Sequence, residues 1–195
     1  MTLGLAPEVR GTLRVKAVAA LCCAGAVFYF AIQPTSATAA ELQRWSGGGQ
    51  LAFSLPTIGG AAAALEAARR HVVLVHFFAT WCEPCREELP ALNRLAARAG
   101  GDVTVLAIAV ADADRSVQRF FAAAPVDFPI LLDRDRVVAK AWNVATLPTT
   151  FVLDGSLQPT FVVETDFAWD TIDPGKLPSA PGAGGSTSIK DASNR

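Results

Sequence analysis

The sequence has no large excess of charge of either sign and few histidines and cysteines. Lys and Arg number 17 against 18 Asp and Glu in 195 residues, and there are two histidines. No run of Lys and Arg with interleaved aromatic residues occurs, which argues against nucleic-acid binding. The four cysteines are too few for a small scaffold held together by disulfides. The length suits one well-buried domain with appendages.

The first 39 residues have the layout of an export signal. Arg10, Arg14 and Lys16 make the start positive, and the uncharged, mostly apolar stretch 17–32 follows. Small residues then provide a signal-peptidase site after Ala39. Two interpretations stay open, namely cleavage at this site or retention of the apolar stretch as a short membrane anchor. Both place the rest of the chain in an extracytoplasmic compartment such as the periplasm.

Beyond the export signal, the sequence predicts a linker, one domain and a tail. Residues 40–50 end in a glycine run that is typical of a flexible linker. Residues 51–170 predict strands that alternate with helices and end in a hairpin, which implies a mixed sheet covered by helices. Residues 171–195 are rich in Pro, Gly and Ser and predict a low-complexity, mostly disordered tail.

Within the domain, the apolar pattern predicts individual elements. Residues 72–78 and 103–110 are runs of β-branched and apolar residues typical of strands buried on both faces. Residues 87–98 predict an amphipathic helix that is kinked at Pro90. The remaining predictions are strands at 51–55, 128–132, 149–153 and 160–163, helices at 61–68 and 116–124, and a helical turn at 134–142.

Cys82 and Cys85 stand three positions apart, between the first buried strand and the amphipathic helix. The N–H groups and dipole of a helix N-terminus favour a thiolate at Cys82, and the thiolate is the attacking species in disulfide exchange. Cys85, one turn further on, can attack the resulting mixed disulfide and release the product. Pro84 lacks an N–H and therefore suits the first helical turn. The spacing predicts a redox-active dithiol.

A structural disulfide and a zinc site are the alternatives for this pair. A disulfide that closes so short a loop adds little stability. A zinc site needs more ligands, but the only histidines are His71 and His76 and the exported part has no second cysteine pair. The other cysteines, Cys22 and Cys23, fall within the apolar export segment as small hydrophobic residues. We therefore expect no metal and no cofactor beyond the Cys82–Cys85 disulfide itself.

The segment FFATWCEPCREELP, residues 77–90, resembles the active-site segment of the thioredoxin superfamily. Within that superfamily it resembles the TlpA/ResA-like extracytoplasmic thiol-disulfide oxidoreductases. A second landmark, TLPTT, places Pro148 where the family has a cis-proline that faces the cysteines. Leu147 and Pro148 are therefore expected to face the substrate chain. Thr146 replaces a usual glycine and Ala145 a commonly charged residue, so recognition near Pro148 is expected to differ.

The resemblance covers about residues 51–170 and implies an α/β, thioredoxin-like fold with a mixed central sheet flanked by helices. The family's C-terminal helix is expected to be missing or irregular here, because residues 171–195 are rich in Pro and Gly. Trp169, Ile172 and Leu177 are candidates to lay an irregular segment over the sheet face left open. Otherwise a partner or the membrane covers that face.

The resemblance also implies two acid–base residues. Glu88 matches a glutamate that lies near the dithiol in the family and tunes it; the alternative is a solvated helix residue like Glu87. His76, six residues before Cys82, matches a buried acidic position of thioredoxins. It is a candidate proton acceptor for Cys85 with a pKa suited to neutral pH, or else a hydrogen-bonded core histidine.

Three residues next to the cysteines are expected to support the site. Trp81 is expected to shield the dithiol and to present apolar surface to a partner, with packing alone as the alternative. Glu83 and Pro84 complete the sequence between the two cysteines.

In function, the resemblance implies an exported oxidoreductase that acts on protein disulfides. The expected task is reductive, on the cysteines of apocytochrome c or of a copper centre, with a membrane electron donor to re-reduce a monomeric protein. A dithiol oxidase or isomerase is the first alternative, because only the reduction potential decides the direction. A copper-binding assembly factor is the second, and the absence of any histidine after Cys85 counts against it.

Overall fold

The computed structural model describes residues 41–48 and 52–178. The predicted export segment, the end of the linker and the last part of the predicted tail lie outside these residues. Within the described ranges, no helix is both long enough and apolar enough to cross a membrane.

A six-stranded mixed sheet and a separate two-stranded hairpin contain all eight strands of the described chain. The strands are β1 Gln43–Arg44, β2 Ser54–Pro56, β3 Ala62–Ala64, β4 Val72–Phe78, β5 Val103–Val110, β6 Ile130–Asp133, β7 Thr149–Leu153 and β8 Pro159–Val163. The helices are α1 Glu83–Arg98, α2 Asp114–Ala123 and α3 Val137–Ala141, and three 3-10 turns span Leu65–Ala68, Trp169–Thr171 and Pro174–Lys176.

The large sheet has the order β1-β8-β7-β4-β5-β6. Strands β4, β5 and β6 are parallel to one another. On the other side of β4 follow β7, β8 and β1, each antiparallel to the strand before it in the sheet. Every residue of β4 is buried, as its uninterrupted apolar run predicts for a central strand. Helices α1 and α2 cover one face of the sheet, and α3 with the turn Leu65–Ala68 covers the other. The predicted fold class is confirmed.

Helix α1 begins four residues earlier than the predicted start at residue 87, and it continues through Pro90 to Arg98. Its first residue, Glu83, follows Cys82 directly, so the dithiol lies at the helix start. The early start is possible because Pro84 falls in the first turn, where no hydrogen-bonding N–H is required.

The α-helix predicted at 61–68 is wrong. Ala62–Ala64 is extended and pairs antiparallel with β2, and only Leu65–Ala68 forms a short 3-10 turn. Alanine has the highest helix propensity, but propensity is a weak term that tertiary packing overrides. The fully buried Leu65 and the nearly buried Phe53 anchor this hairpin in the core on the α3 side of the sheet.

The ordered chain continues past residue 170, so the predicted domain boundary falls too early. Trp169 is completely buried and Leu177 is 4% exposed, and both belong to the core on the α1 side of the sheet. Arg94 of α1 holds the segment through an ion pair with Asp170, at 2.6 Å between Nη2 and Oδ2. An irregular segment of short turns therefore stands where the family's C-terminal helix would be, as the sequence predicts.

Candidate active site

Cys82 is the N-cap residue of α1, and Cys85 lies in the first turn. Their sulfur atoms form a disulfide with an S–S distance of 2.02 Å and a Cα–Cα distance of 5.3 Å. The backbone N–H of Cys85 donates a hydrogen bond to Cys82 Sγ at 3.4 Å. Cys82 is 8% exposed and Cys85 is completely buried. The two cysteines are therefore chemically unequal, because an incoming thiol or disulfide can reach only Cys82.

The loop between β4 and α1 is held by Asp112, a residue that the sequence analysis missed. The backbone N–H and the hydroxyl of Thr80 both donate to Asp112 Oδ2, at 2.6 and 2.7 Å. Asp112 follows the end of β5, which is parallel to β4, so both loops leave the same edge of the sheet. An acidic residue two positions past the end of a buried parallel strand was the available signal. Its contacts fix the chain two residues before Cys82.

The predicted cis-proline is present, since the Leu147–Pro148 peptide bond is cis. Pro148 is buried and Leu147 is half-buried. The antiparallel register of β7 and β4 pairs Thr149 with Phe77, so the proline precedes β7 beside the end of β4. The Thr149 hydroxyl donates to the Thr146 carbonyl at 2.8 Å and closes the turn that contains Pro148.

Trp81 does not pack into the core, which excludes the interpretation that it serves packing alone. Its side chain is 68% exposed and lines a groove of about 300 Å³ together with Leu147 and the residues before it. Glu83 and Pro84 are also exposed. The surface around the dithiol therefore combines a large apolar ring with the turn that precedes Pro148.

Glu88 is buried, 4% exposed, so the solvated alternative is wrong. Its Oε1 accepts hydrogen bonds from Trp169 Nε1 at 2.5 Å and from the Phe167 backbone N–H at 3.1 Å, while Oε2 has no hydrogen-bond partner among the described residues. Burial raises the pKa of Glu88 to about 8, although both hydrogen bonds act to lower it. Glu88 thus keeps its proton at neutral pH. As the residue three positions after Cys85, it lies on the same side of α1.

His76 is completely buried in β4, on the sheet face that carries Leu74 and Phe78 and that α1 covers. Its Nδ1 lies 2.9 Å from Thr150 Oγ1, and no residue in the described part of the chain bonds to its Nε2. Burial lowers the pKa of His76 to about 3, so the imidazole is neutral. A proton acceptor for Cys85 needs a pKa near neutrality. The prediction of such a pKa for His76 is therefore wrong. The geometry favours the alternative, a hydrogen-bonded core histidine.

No group of three or more His, Cys, Asp or Glu side chains that could hold a metal ion occurs in residues 41–48 and 52–178. The chemistry available at the site is that of the cysteine pair with a buried, protonated carboxyl group on the same helix.

Comparison with known proteins shows which family the chain resembles. The model of the AhpC/TSA family matches residues 49–158. The thioredoxin-like protein YneN of Bacillus subtilis is 38% identical over 105 residues, which are 52% of this chain and 61% of YneN. The thiol-disulfide oxidoreductase ResA of Geobacillus kaustophilus is 37% identical over 103 residues, 52% of this chain and 59% of ResA. The alignments thus span about six tenths of these relatives.

Solved structures agree on the fold. A thiol:disulfide interchange protein DsbE from Chlorobium tepidum superposes with a TM-score of 0.58 and 26% identity, covering 65% of this chain and 88% of that one. A secreted Mycobacterium tuberculosis disulfide oxidoreductase gives a TM-score of 0.54 and 26% identity, covering 63% and 89%. Because the family model matches more than half of the residues, the chain belongs to the AhpC/TSA family, as a thioredoxin-like member.

Proposed function

We propose that this protein is an extracytoplasmic thiol-disulfide oxidoreductase that acts on disulfide-bearing proteins. The observation that carries the proposal is the unequal cysteine pair at the start of α1, with Cys82 within reach of solvent and Cys85 completely buried. Stepwise exchange uses this arrangement, because the accessible sulfur attacks the target disulfide and the buried sulfur then attacks the mixed disulfide. Two of the relatives described above support it, ResA, named a thiol-disulfide oxidoreductase, and the secreted Mycobacterium tuberculosis protein, named a disulfide oxidoreductase.

In the proposed cycle, the Cys82 thiolate of the reduced protein attacks one sulfur of the target disulfide. The target S–S bond breaks, a mixed disulfide forms, and the departing target sulfur takes up a proton. Cys85 then loses its proton and attacks Cys82 Sγ, which releases the second target thiol. Two electrons and two protons have passed to the target, and the Cys82–Cys85 disulfide seen in the structure remains. The dithiol carries the electrons, so the cycle uses no other cofactor.

We assign the proton exchange with Cys85 to Glu88 and not to His76. Glu88 is mostly protonated at neutral pH, and its ionised fraction accepts the proton of Cys85. The pKa of Glu88, raised to about 8 by burial, lies close to that of a thiol, whereas burial lowers the pKa of His76 to about 3. Glu88 also follows Cys85 by one helical turn, and one of its oxygens has no hydrogen-bond partner within residues 41–48 and 52–178. A group exchanges protons most readily with a partner of similar pKa.

This assignment predicts different cysteine titrations for two variants. In Glu88→Gln, we expect the thiolate of Cys85 to form about one pH unit lower, because ionised Glu88 no longer opposes the second negative charge. In His76→Asn, whose amide can still bond to Thr150, we expect the titration to match the wild type. Ultraviolet absorbance of the thiolate in the reduced proteins measures both. A shift in His76→Asn without one in Glu88→Gln would reverse the assignment.

For the direction of transfer, we propose a reductase. The targets would be the cysteine pairs of apocytochromes c or of a copper centre, with a membrane electron donor to re-reduce a monomeric protein. The likeness of residues 77–90 to the TlpA/ResA-like segment supports this role, and the secreted relative supports the compartment. The N-terminal export signal or anchor that this role requires lies outside the described residues.

The equilibrium between the protein and glutathione tests the direction. We expect a reduction potential of about −200 mV or more negative, as in glutaredoxins and thioredoxin. The protein is equilibrated with mixtures of reduced and oxidised glutathione, and its free thiols are alkylated and counted by mass. Cys82→Ser, which cannot form the disulfide, provides the baseline. A potential near that of DsbA, about −120 mV, would make the protein an oxidant instead.

A further inference from the structure

The groove beside the dithiol contains one charged residue. Its lining includes Trp81, the segment 144–147, and Val110 and Ala111 at the end of β5. Arg136 completes the lining. Among the described residues no carboxylate lines the groove, so none of them balances the guanidinium charge there.

Arg136 is bound through its backbone and free at its side chain. As the N-cap of α3 it has a left-handed φ of 59°, its N–H donates to the Asp133 carbonyl at 3.2 Å, and its own carbonyl accepts from Lys140 at 2.9 Å. Its guanidinium makes no hydrogen bond or ion pair with any residue of the described chain. Arg134, by contrast, pairs with Asp114 at 2.7 Å. The fold therefore fixes the backbone of Arg136, and the guanidinium remains available to a ligand.

Apolar surface accompanies this charge. Trp81 is 68% exposed and Val137 is 65% exposed, and they are the large hydrophobic side chains that the described residues leave open to solvent. Val137 follows Arg136 directly, and Trp81 precedes Cys82. Exposed aromatic and arginine side chains that lie together are the residues that contribute most to protein recognition. This combination indicates a surface for a polypeptide rather than for a small disulfide.

We propose that the groove binds the part of a target polypeptide next to its reactive cysteine, and that Arg136 selects targets with a carboxylate side chain there. This inference rests on the proposed function and specifies its substrate class. A guanidinium presents its N–H groups in a fork that fits both oxygens of a carboxylate. The same unbalanced charge disfavours a target with Lys or Arg at that place. The carboxylate is bound while Cys82, beside the groove, attacks the neighbouring sulfur.

Three peptides of one sequence test the inference. Each has a single cysteine activated as a thiopyridyl disulfide and flanked by Glu, Gln or Lys, and reduced protein releases thiopyridone, whose absorbance gives the rate. We expect the wild type to react about fivefold faster with the Glu peptide than with the Gln peptide. Arg136→Gln should abolish this ratio, and Arg136→Glu should favour the Lys peptide. Ratios between peptides cancel any change in the reactivity of the dithiol itself.

Lys140→Gln is the matched control, because Lys140 is an exposed cation on the same helix that does not line the groove. It should keep the preference for Glu. Equal rates with all three peptides, a preference that survives Arg136→Gln, or one lost in Lys140→Gln would each overturn the inference and leave the proposed function intact. If no peptide releases thiopyridone, the proposed function itself is overturned.

Discussion

Cys85→Ser is expected to stop the protein halfway through its cycle, joined to its target through Cys82. The serine hydroxyl cannot attack the mixed disulfide, so release of the second target thiol ends and turnover falls by at least about a thousandfold. Cys82→Ser is expected to lose turnover as completely but to trap nothing, because Cys85 is completely buried and cannot reach a target disulfide. Non-reducing electrophoresis and mass measurement after mixing each reduced variant with a protein disulfide distinguish the two results.

The two variants control for each other, since each makes the same chemical change in one member of the pair. Trapping by Cys82→Ser instead of Cys85→Ser would reverse the assigned roles. Trapping by both would show that Cys85 becomes accessible in the reduced protein. The burial of the two sulfurs predicts that Cys85→Ser forms a trapped complex and that a reductant separates it.

The parts of this site that could be predicted from the sequence are those that depend on neighbours along the chain. The uninterrupted apolar run of β4 predicts a central strand. The spacing of Cys82, Pro84 and Cys85 predicts the start of a helix. Both signals are local, because burial on two faces and the first turn of a helix are decided within a few residues. The alanine run at 61–64 is the exception, since the pairing of β3 with β2 overrides its propensity.

The parts that could not be predicted depend on residues far apart in the sequence. The acceptor of the Thr80 N–H and hydroxyl, Asp112, is 32 positions away, and Trp169 is 81 positions from Glu88. The composition of residues 171–178 favours disorder. It gives no sign that Arg94, far away in the sequence, pairs with Asp170 just before these residues. Phe167 and Trp169 donate hydrogen bonds to the buried Glu88, and nothing in the sequence next to Glu88 signals these distant contacts.

Glu88→Gln is expected to stabilise the oxidised protein by several kcal/mol at about pH 8 and to change it little at about pH 4. Burial raises the pKa of Glu88 from 4.5 to about 8. Between these values the unfolded chain is ionised at this position and the folded protein is protonated, so stability is lost as the pH rises through this window. Each pKa unit corresponds to about 1.4 kcal/mol. Glutamine keeps the oxygen that accepts from Trp169 and cannot ionise.

Urea denaturation of oxidised wild type and variant between about pH 4 and pH 9 measures this effect, with the exposed Glu87→Gln as control.

His76 acts in the opposite direction, because burial lowers its pKa from 6.5 to about 3. The stability it confers is complete above its unfolded value and is lost as the pH falls towards the folded one. Wild-type stability should therefore pass through a maximum between about pH 5 and 6, where the two slopes cancel. In Glu88→Gln only the histidine slope remains, so stability should rise to about pH 6.5 and then level off. A variant that still loses stability above pH 6.5 as steeply as the wild type would show that another group carries the alkaline slope.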